Sequence, residues 1–307
     1  MKAIVTGGAG FIGSHLVEEL VKRGFEVHVL DNLIAGRLEN VHPSAIIHVE
    51  DIRGTKAKQI INQEKPDIVF HLAAQADVGK SISEPNYDAS VNINGTINIL
   101  EACHEARVKR IIFASTSAVY GDLETDLLSE TDLTVPISYY GLSKLTAESY
   151  IRLFSHLYKL PFTILRYGNV YGPRQLPKGE GGVIAVFLNR IKRNEMLLIH
   201  GDGEQTRDFI YVKDIVLANI AAIKSGDRQT FNISTSRTTS INQLIGFLNK
   251  IHGSPIGYVF VDGKKGDIKH SCLNNQSALQ SLEWHPTFDI LQGLEETYAY
   301  VWQRDKS

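Results

Sequence analysis

Short apolar segments alternate with amphipathic segments along the first half of the chain. The apolar segments at 3–5, 26–30, 45–49, 67–72, 110–115 and 162–167 have the length and composition of buried strands. Helix-length segments lie between them, at 56–63, 92–106 and 140–158 for example. Strands that alternate with helices predict an α/β fold with a Rossmann-like doubly wound parallel sheet, which binds ligands at the carboxyl ends of its strands.

The chain changes character after residue 168. Residues 168–203 are richer in glycine, proline and basic residues, which mark turns and loops. Helical patterns follow at 183–193, 213–224 and 240–251, with short strands at 197–200 and 230–233. We therefore expect one domain over 1–168 and a smaller C-terminal substrate domain over 169–307, with an approximate boundary that the chain can recross.

A glycine turn joins the first strand to the first helix. Gly8, Gly10 and Gly13 have the spacing that permits a tight turn, close approach to a pyrophosphate and close packing of helix on strand. A glycine pattern alone also fits a purely structural turn. However, Asp31 ends the second strand near the spacing expected for a carboxylate that binds an adenosine ribose. Because a carboxylate repels a 2′-phosphate, the sequence predicts NAD rather than NADP.

Tyr140 and Lys144 share one face of the predicted helix at 140–158. A tyrosine titrates near pH ~10 and is a poor base at neutral pH, but a neighbouring ammonium favours its phenolate. The hydroxyls of 115–117 follow a strand on the ligand side of the sheet, where one could bind the same substrate alcohol. Alternatively, Tyr140 and Lys144 would be an ordinary surface pair, and residues 115–117 would be a turn of small residues. The predicted dinucleotide site makes both alternatives less favourable.

Composition and charge narrow the class of protein. The 307 residues are 43% hydrophobic and 21% charged with a formal charge of −2, which argues against a general nucleic-acid or membrane-surface role. Cys103 and Cys272 are too few for a disulfide framework or a cysteine-built metal site. No signal-like segment precedes the first strand, and no apolar run is long enough to span a bilayer, so we expect a cytoplasmic protein.

Six motifs in order carry a family resemblance, at 6–13, 31–33, 71–74, 114–121, 140–144 and 166–172. With them the chain resembles the extended short-chain dehydrogenase/reductase family, most closely its UDP-glucose 4-epimerases. The resemblance implies bound NAD, a UDP-sugar substrate, a homodimer and inversion at C4 through a transient 4-keto sugar. It implies no metal. In the dimer, helices 92–106 and 140–158 would meet their counterparts, with Ile151, Phe154 and Leu157 as apolar surface.

The resemblance also implies roles for individual residues. Thr116, Tyr140 and Lys144 occupy the catalytic positions, with Tyr140 as the base and Thr116 as a hydrogen-bond partner of the same sugar oxygen. For the cofactor it implies contacts from Gly7, Gly10, Phe11, Ile12, Gly13, Asp31, Asn32, Asp51, Ile52, Leu72, Ala73, Ala74, Asn92, Ser115, Tyr140, Lys144 and Tyr167. For the substrate it implies contacts from Ser117, Asn169, Val183, Ile199, His200, Arg207, Lys264, Asp267 and Ser271.

Two positions of the substrate set bear on specificity. Lys264 stands where the family usually has arginine, and a lysine supplies charge to a diphosphate without a bidentate fork. Ser271 stands where a bulky tyrosine is associated with rejection of N-acetylated sugars, so the resemblance implies room for a 2-acetamido group.

Other functions are weighed against this one. The nearest chemical alternative is a nucleotide-sugar 4,6-dehydratase or a UDP-glucuronate decarboxylase. A dehydratase is disfavoured, because dehydratases of the family place Asp-Glu where this chain has Ser117 and Ala118. A UDP-glucuronate 4-epimerase would differ only in its sugar pocket. A non-catalytic NAD sensor on the same fold would not need Tyr140 and Lys144.

Overall fold

A parallel sheet of seven strands forms the centre of the molecule in the computed structural model, which describes residues 1–123, 125–177, 182–263 and 268–303. The strands of these ranges are β1 (Lys2–Thr6), β2 (Glu26–Asp31), β3 (Ile46–Val49), β4 (Ile68–His71), β5 (Arg110–Thr116), β6 (Phe162–Tyr167), β7 (Asn169–Tyr171), β8 (Leu197–His200), β9 (Thr206–Arg207), β10 (Phe209–Tyr211), β11 (Gln229–Ile233), β12 (Thr239–Ser240), β13 (Tyr258–Val261) and β14 (His270–Ser271). The sheet has the order β11-β6-β5-β4-β1-β2-β3, and all of its pairings are parallel. The predicted fold class is thus confirmed.

Strand order reverses at β1, which lies between β4 and β2. The connections after β1 and β4 therefore leave the sheet in opposite directions and open a crevice at their carboxyl ends. This is the position at which open α/β sheets bind their ligands.

Helices cover both faces of the sheet. They are α1 (Phe11–Lys22), α2 (Thr55–Glu64), α3 (Val78–Ser83), α4 (Pro85–Ala89), α5 (Gly95–Glu105), α6 (Tyr139–Tyr158), α7 (Val183–Lys192), α8 (Val212–Ala221), α9 (Ile241–His252), α10 (Gln276–Ser281) and α11 (Ile290–Gln303). The expectation of one helix over 92–106 was wrong in its start, because a π-helical turn at Ser90–Asn94 links α4 to α5. Within the described residues, no helix combines the length and apolarity needed to cross a membrane.

Alternation along the strands divides the apolar side chains between two cores. In β1, Val5 packs with Leu16 and Leu20 of α1, whereas Ile4 packs with Ile61 of α2 and Ile99 of α5. Each such side chain is fully buried and contributes about 1.5–3 kcal/mol of hydrophobic free energy. The two helix layers are therefore held by opposite faces of the same strands.

The C-terminal part of the chain has a core of its own but also returns to the sheet. Apolar residues of α7, α9 and α11 pack with β8 and β10 in a third core. By contrast, β11 pairs with β6 at the edge of the seven-stranded sheet, and α8 packs on α1. The chain therefore recrosses any boundary drawn at residue 168.

Candidate active site

A cleft of about 350 Å³ opens at the carboxyl ends of β1, β2, β4 and β5. It brings together nearly all of the residues that the sequence assigned to the cofactor. These are Gly7, Gly10, Phe11, Ile12, Gly13, Asp31, Asn32, Asp51, Ile52, Leu72, Ala73, Ala74, Ser115, Tyr140, Lys144 and Tyr167. The cleft extends from the glycine turn to the start of α6.

The glycine turn between β1 and α1 packs so closely against the backbone around it that Gly7 and Gly13 have no room for side chains. Gly7 has φ +72°, and a Cβ atom on it would lie 2.8 Å from the amide nitrogen of Ala73. A Cβ atom on Gly13 would lie 2.1 Å from the carbonyl oxygen of Gly7. Since no other residue fits these positions, the backbone forms a cradle at the N-terminus of α1, where a pyrophosphate would bind.

Asp31 is held at the second strand end by backbone amides. Its Oδ2 accepts a hydrogen bond from Ala9 N (3.0 Å) and its Oδ1 accepts one from Leu33 N (2.8 Å). Burial raises the pKa of Asp31, and the two amides oppose this effect. Each carboxylate oxygen retains acceptor capacity for a ribose diol, whereas a 2′-phosphate would meet like charge.

Asp51 lies beyond β3, at the far end of the cleft. Arg53 donates to both of its oxygens, Nε to Oδ1 (2.9 Å) and Nη2 to Oδ2 (2.7 Å), and Asn32 Nδ2 donates to Oδ2 (3.0 Å). The Arg53 hydrogen bonds lower the pKa of Asp51 to about 2. Asp51 is therefore a carboxylate at neutral pH, with its orientation fixed by the fork of Arg53.

A buried histidine orders the strand ends beneath the cleft. Thr96 Oγ1 donates its hydrogen to Asn92 O (2.6 Å), so it accepts a hydrogen bond from the Nε2–H group of His71 (3.0 Å). His71 Nδ1 then accepts from Thr6 Oγ1 (2.7 Å), which itself accepts from Ala73 N (3.1 Å). Burial lowers the pKa of His71 to about 3, so the ring is neutral and this tautomer is fixed.

The predicted catalytic residues lie where α6 meets the end of β5. Ser138 caps α6 by accepting from Gly141 N (3.1 Å). A Cβ atom on Gly141 would lie 2.4 Å from Ala118 O, so the first turn of α6 contacts the turn that follows Thr116. This contact places Tyr140 close to the end of β5.

Lys144 and Thr116 are each held in this region. Lys144 is 3% exposed, and its Nζ lies 4.1 Å from the centroid of the Phe113 ring on β5. Thr116 Oγ1 accepts a hydrogen bond from Ala118 N (3.1 Å), which leaves its proton available for another acceptor. The lysine is thus one helical turn from Tyr140 on a face that packs against β5.

Two residues of the predicted cofactor set have their polar groups engaged by the protein. Ser115 lines the cleft, but its hydroxyl donates to Glu148 Oε1 (2.6 Å). Asn92 is 2% exposed and does not line the cleft, since its amide bonds to both backbone groups of Gln75 and to Ser143 Oγ. Asn92 therefore orders the loop after β4, and the structure does not place it in the cleft where the sequence predicted a cofactor contact.

Tyr167 ends β6 beside the cleft with its hydroxyl turned into the protein. Asn219 Nδ2 donates to this hydroxyl (2.8 Å), and burial raises the pKa of Tyr167. Its ring rather than its hydroxyl is available to a cofactor.

The structure places most of the predicted substrate residues in the C-terminal part. Ser271 of β14 pairs with Arg207 of β9, so these two residues are neighbours. Ile199 is 1% exposed with its side chain in the third core, whereas His200 ends β8 with its Nδ1 3.1 Å from Asp262 O. Half-buried positions are found for Ser117, Asn169 and Val183, and Lys264 and Asp267 lie outside the described residues.

Sequence reasoning missed part of the cleft wall. Lys80 of α3 and Tyr87 of α4 line it, with Lys80 Nζ 4.4 Å from the centroid of the Tyr87 ring. Asp77 caps α3, and Pro85 begins α4. These are local signals of helix starts, and they could have indicated two short helices here.

The fold and the cleft define a Rossmann-type dinucleotide-binding protein with a tyrosine and a lysine beside the cofactor site. A family model described as the NAD dependent epimerase/dehydratase family matches residues 3–234. The chain belongs to this family.

Among the solved structures similar to this chain are three epimerases, each matched over at least 98% of it. The UDP-glucose 4-epimerase of Thermotoga maritima, solved with UDP-glucose, is 42% identical with a TM-score of 0.97, and the match covers 100% of both chains. The UDP-glucose 4-epimerase of Thermus thermophilus, solved with NAD, is 35% identical with a TM-score of 0.93 over 98% of this chain and 99% of that one. The UDP-N-acetylglucosamine 4-epimerase of Methanobrevibacter ruminantium, solved with UDP-N-acetylmuramic acid, is 36% identical with a TM-score of 0.94. The match covers 99% of this chain and 98% of that one.

Proposed function

We propose that the protein interconverts UDP-glucose and UDP-galactose by inverting C4 of the sugar, with NAD as a cofactor that is regenerated in each turnover. The observation that carries this proposal is the shared cleft of the glycine turn, Asp31, Tyr140 and Lys144. Likeness over full length to a UDP-glucose 4-epimerase solved with UDP-glucose supports the substrate class.

The residues of the cleft fit NAD. The cradle at Gly7 and Gly13 admits backbone approach that a Cβ atom would block, and Asp31 offers acceptors to a ribose diol. When bound, NAD supplies a hydride acceptor and donor for sugar C4.

Residues of the chain remove the proton of the sugar 4-hydroxyl and later return it. Tyr140 as phenolate takes this proton, and the ammonium of Lys144 stabilises the phenolate. Thr116 donates a hydrogen bond to the same oxygen. The 4-keto sugar then rotates in the pocket. Tyr140 returns the proton to the oxygen once the opposite face of C4 has been reduced, so the net reaction is inversion at C4.

The residues after Thr116 argue against a further elimination. Ser117 and Ala118 form the turn there, and neither side chain is a general acid or base at neutral pH. A dehydratase would need such groups beside the sugar.

Product analysis with three substrates tests the proposal. Purified protein is incubated separately with UDP-glucose, UDP-N-acetylglucosamine and UDP-glucuronate, and the UDP-sugars are resolved by chromatography. We expect UDP-galactose from UDP-glucose without net oxidation. Turnover of UDP-glucuronate alone would favour the glucuronate epimerase, and no turnover by protein with bound NAD would favour a sensor.

We further propose that UDP-N-acetylglucosamine is a substrate, because Ser271 is small and half-buried beside Arg207. Ser271→Tyr should lower kcat/KM for the acetylated sugar by roughly 10–100-fold and that for UDP-glucose far less, as expected when a side chain fills part of a pocket. Ser271→Ala is the matched control and should preserve both reactions. Failure of the parent protein to epimerise UDP-N-acetylglucosamine would contradict this assignment.

A homodimer through α6 is the proposed assembly. The contribution expected of Ile151 was wrong, because this side chain is buried in the core at 1% exposure. Leu142, Leu153 and Leu157 are 48%, 52% and 56% exposed at helical spacing, and they supply an apolar stripe on α6 instead.

The cytoplasmic location stays a prediction.

Light scattering at micromolar concentration should give the mass of two chains. Leu153→Glu should shift the protein toward the monomer, since it places a charge within the apolar stripe. Leu133→Glu, at a side chain 74% exposed outside α6, should leave the dimer intact. A monomer mass for the parent protein would exclude this assembly.

A further inference from the structure

A buried ion pair lies directly behind the predicted catalytic residues. Arg166 of β6 binds Glu148 of α6 through two parallel hydrogen bonds, Nε to Oε1 (2.9 Å) and Nη2 to Oε2 (2.7 Å). Glu148 is 0% exposed and Arg166 is 3% exposed. Burial alone would raise the pKa of Glu148, but the bonds to Arg166 hold it below its usual value, so both groups are charged.

Further hydrogen bonds join the pair to its surroundings. Within α6, Glu148 Oε2 also accepts from Arg152 Nη2 (3.0 Å). Glu148 Oε1 also accepts from Ser115 Oγ (2.6 Å) at the end of β5. Arg166 Nη1 donates to the hydroxyl of Tyr120 (2.9 Å), which donates to Asn232 Oδ1 (2.7 Å) on β11. One helix and three strands of the sheet therefore meet in a single network.

Stability does not explain why charges occupy this place. Removing two charges from water is costly, and apolar residues of similar volume often replace a buried ion pair without loss of stability. A bidentate arginine–carboxylate pair, however, fixes relative position and angle more narrowly than apolar packing does.

The pair has a direct geometric relation to the catalytic groups. Along α6, Glu148 follows Lys144 by four residues and Tyr140 by eight, so the three lie on one face. Across the sheet, Ser115 pairs with Arg166, and the next pair in register is Thr116 with Tyr167. Phe113 contacts Lys144 on the same strand on which Ser115 contacts Glu148. Two successive turns of α6 are thus fixed to alternate residues of β5.

We propose that Glu148 and Arg166 are positioning residues, which hold Tyr140 and Lys144 of α6 at the correct place relative to Thr116 of β5. This inference rests on the proposed function for its effect on turnover. The Glu148 carboxylate is matched by Arg166 and also bonded by Arg152, so the network adds no net negative charge that would oppose the effect of the Lys144 ammonium on the Tyr140 phenol.

The double variant Glu148→Met/Arg166→Met separates positioning from stability. We expect thermal stability and bound NAD close to those of the parent, with KM for UDP-glucose little changed and kcat lower by about 10²-fold, the loss typical of small misplacements of reacting groups. Amide hydrogen exchange should become faster in residues 139–146 and stay unchanged in 150–158. A parent-like kcat in the double variant would overturn the proposal.

Two further variants keep the test decisive. Asp214→Asn is the matched control, since Asp214 is fully buried and binds Thr287 and Phe288 away from α6. It should lower thermal stability without a change in kcat. If the double variant does not fold, Arg166→Lys keeps the charge but loses the fork, and it should lower kcat at unchanged KM. An unchanged kcat in Arg166→Lys would also overturn the proposal.

Failure of the proposed function is distinguishable from failure of this inference. A parent protein that turns over none of the three UDP-sugars would remove the function, and the exchange of residues 139–146 in the double variant would still report on positioning. An active parent with an equally active double variant would remove the inference alone.

Discussion

Replacing Tyr140 with phenylalanine is expected to lower kcat for UDP-glucose by roughly 10⁴-fold, the upper range for loss of a general acid–base group. The hydroxyl is the proton acceptor in the proposed reaction, whereas the ring packs at the start of α6. Thermal stability and bound NAD should therefore stay close to those of the parent. Product formation by chromatography, together with the melting temperature and the NAD content, checks all three expectations.

The preceding tyrosine is a matched control. Tyr139 begins α6 and is 49% exposed, so Tyr139→Phe removes a hydroxyl from the same helical turn and should leave kcat unchanged. Thr116→Ala removes a hydrogen bond but not the base, and we expect a smaller loss, on the order of 10²-fold. Near-normal turnover by Tyr140→Phe would rule out the proposed role of the phenol.

The sheet could be predicted because two features of the sequence indicate its strands, their apolar composition and their alternation with helix-length segments. Segments such as 110–115 and 162–167 are apolar runs of strand length, and each follows a helix-length segment. The structure places these strands at Arg110–Thr116 and Phe162–Tyr167. The position of β11 could not be predicted in the same way, because its pairing with β6 joins residues far apart in the chain, and local pattern carries no information on such partners.

The region between β4 and α5 was the weakest part of the prediction. It contains two short helices and a π-helical turn, and the helix expected from residue 92 begins differently. Helices this short are not stable by intrinsic propensity, so packing against the rest of the fold determines whether they form and where they begin. The consequence for the site was the omission of Lys80 and Tyr87 from the cleft.

The hydroxyls at the end of β5 show how far a motif can assign function. The motif placed Ser115 and Thr116 side by side, but only the structure shows that Ser115 donates to Glu148. A signal for that partner was present, since Arg166 interrupts an otherwise apolar strand and a buried arginine needs an acid. The sequence could not identify which acid, because a carboxylate on a helix is usually exposed to solvent.

Gly13→Ala is expected to abolish the retention of NAD during purification. The added Cβ would lie 2.1 Å from Gly7 O and 2.8 Å from Gly8 Cα, and both are backbone atoms that no rotamer change can move. Either the turn opens or α1 moves away from β1, and both distort the cradle for the pyrophosphate. Overpacking of this kind also costs about 1–3 kcal/mol of stability, so the melting temperature should fall as well.

A second glycine separates the loss of the cradle from a general effect of alanine. Gly246 lies inside α9, and a Cβ atom there would meet nothing within 4 Å. Gly246→Ala should keep NAD and gain roughly 0.5–1 kcal/mol, because alanine has the higher helix propensity. The NAD released from each denatured protein, measured by absorbance and chromatography, checks the comparison. If Gly13→Ala retains as much NAD as Gly246→Ala, the cofactor does not depend on the close contact between α1 and the turn after β1.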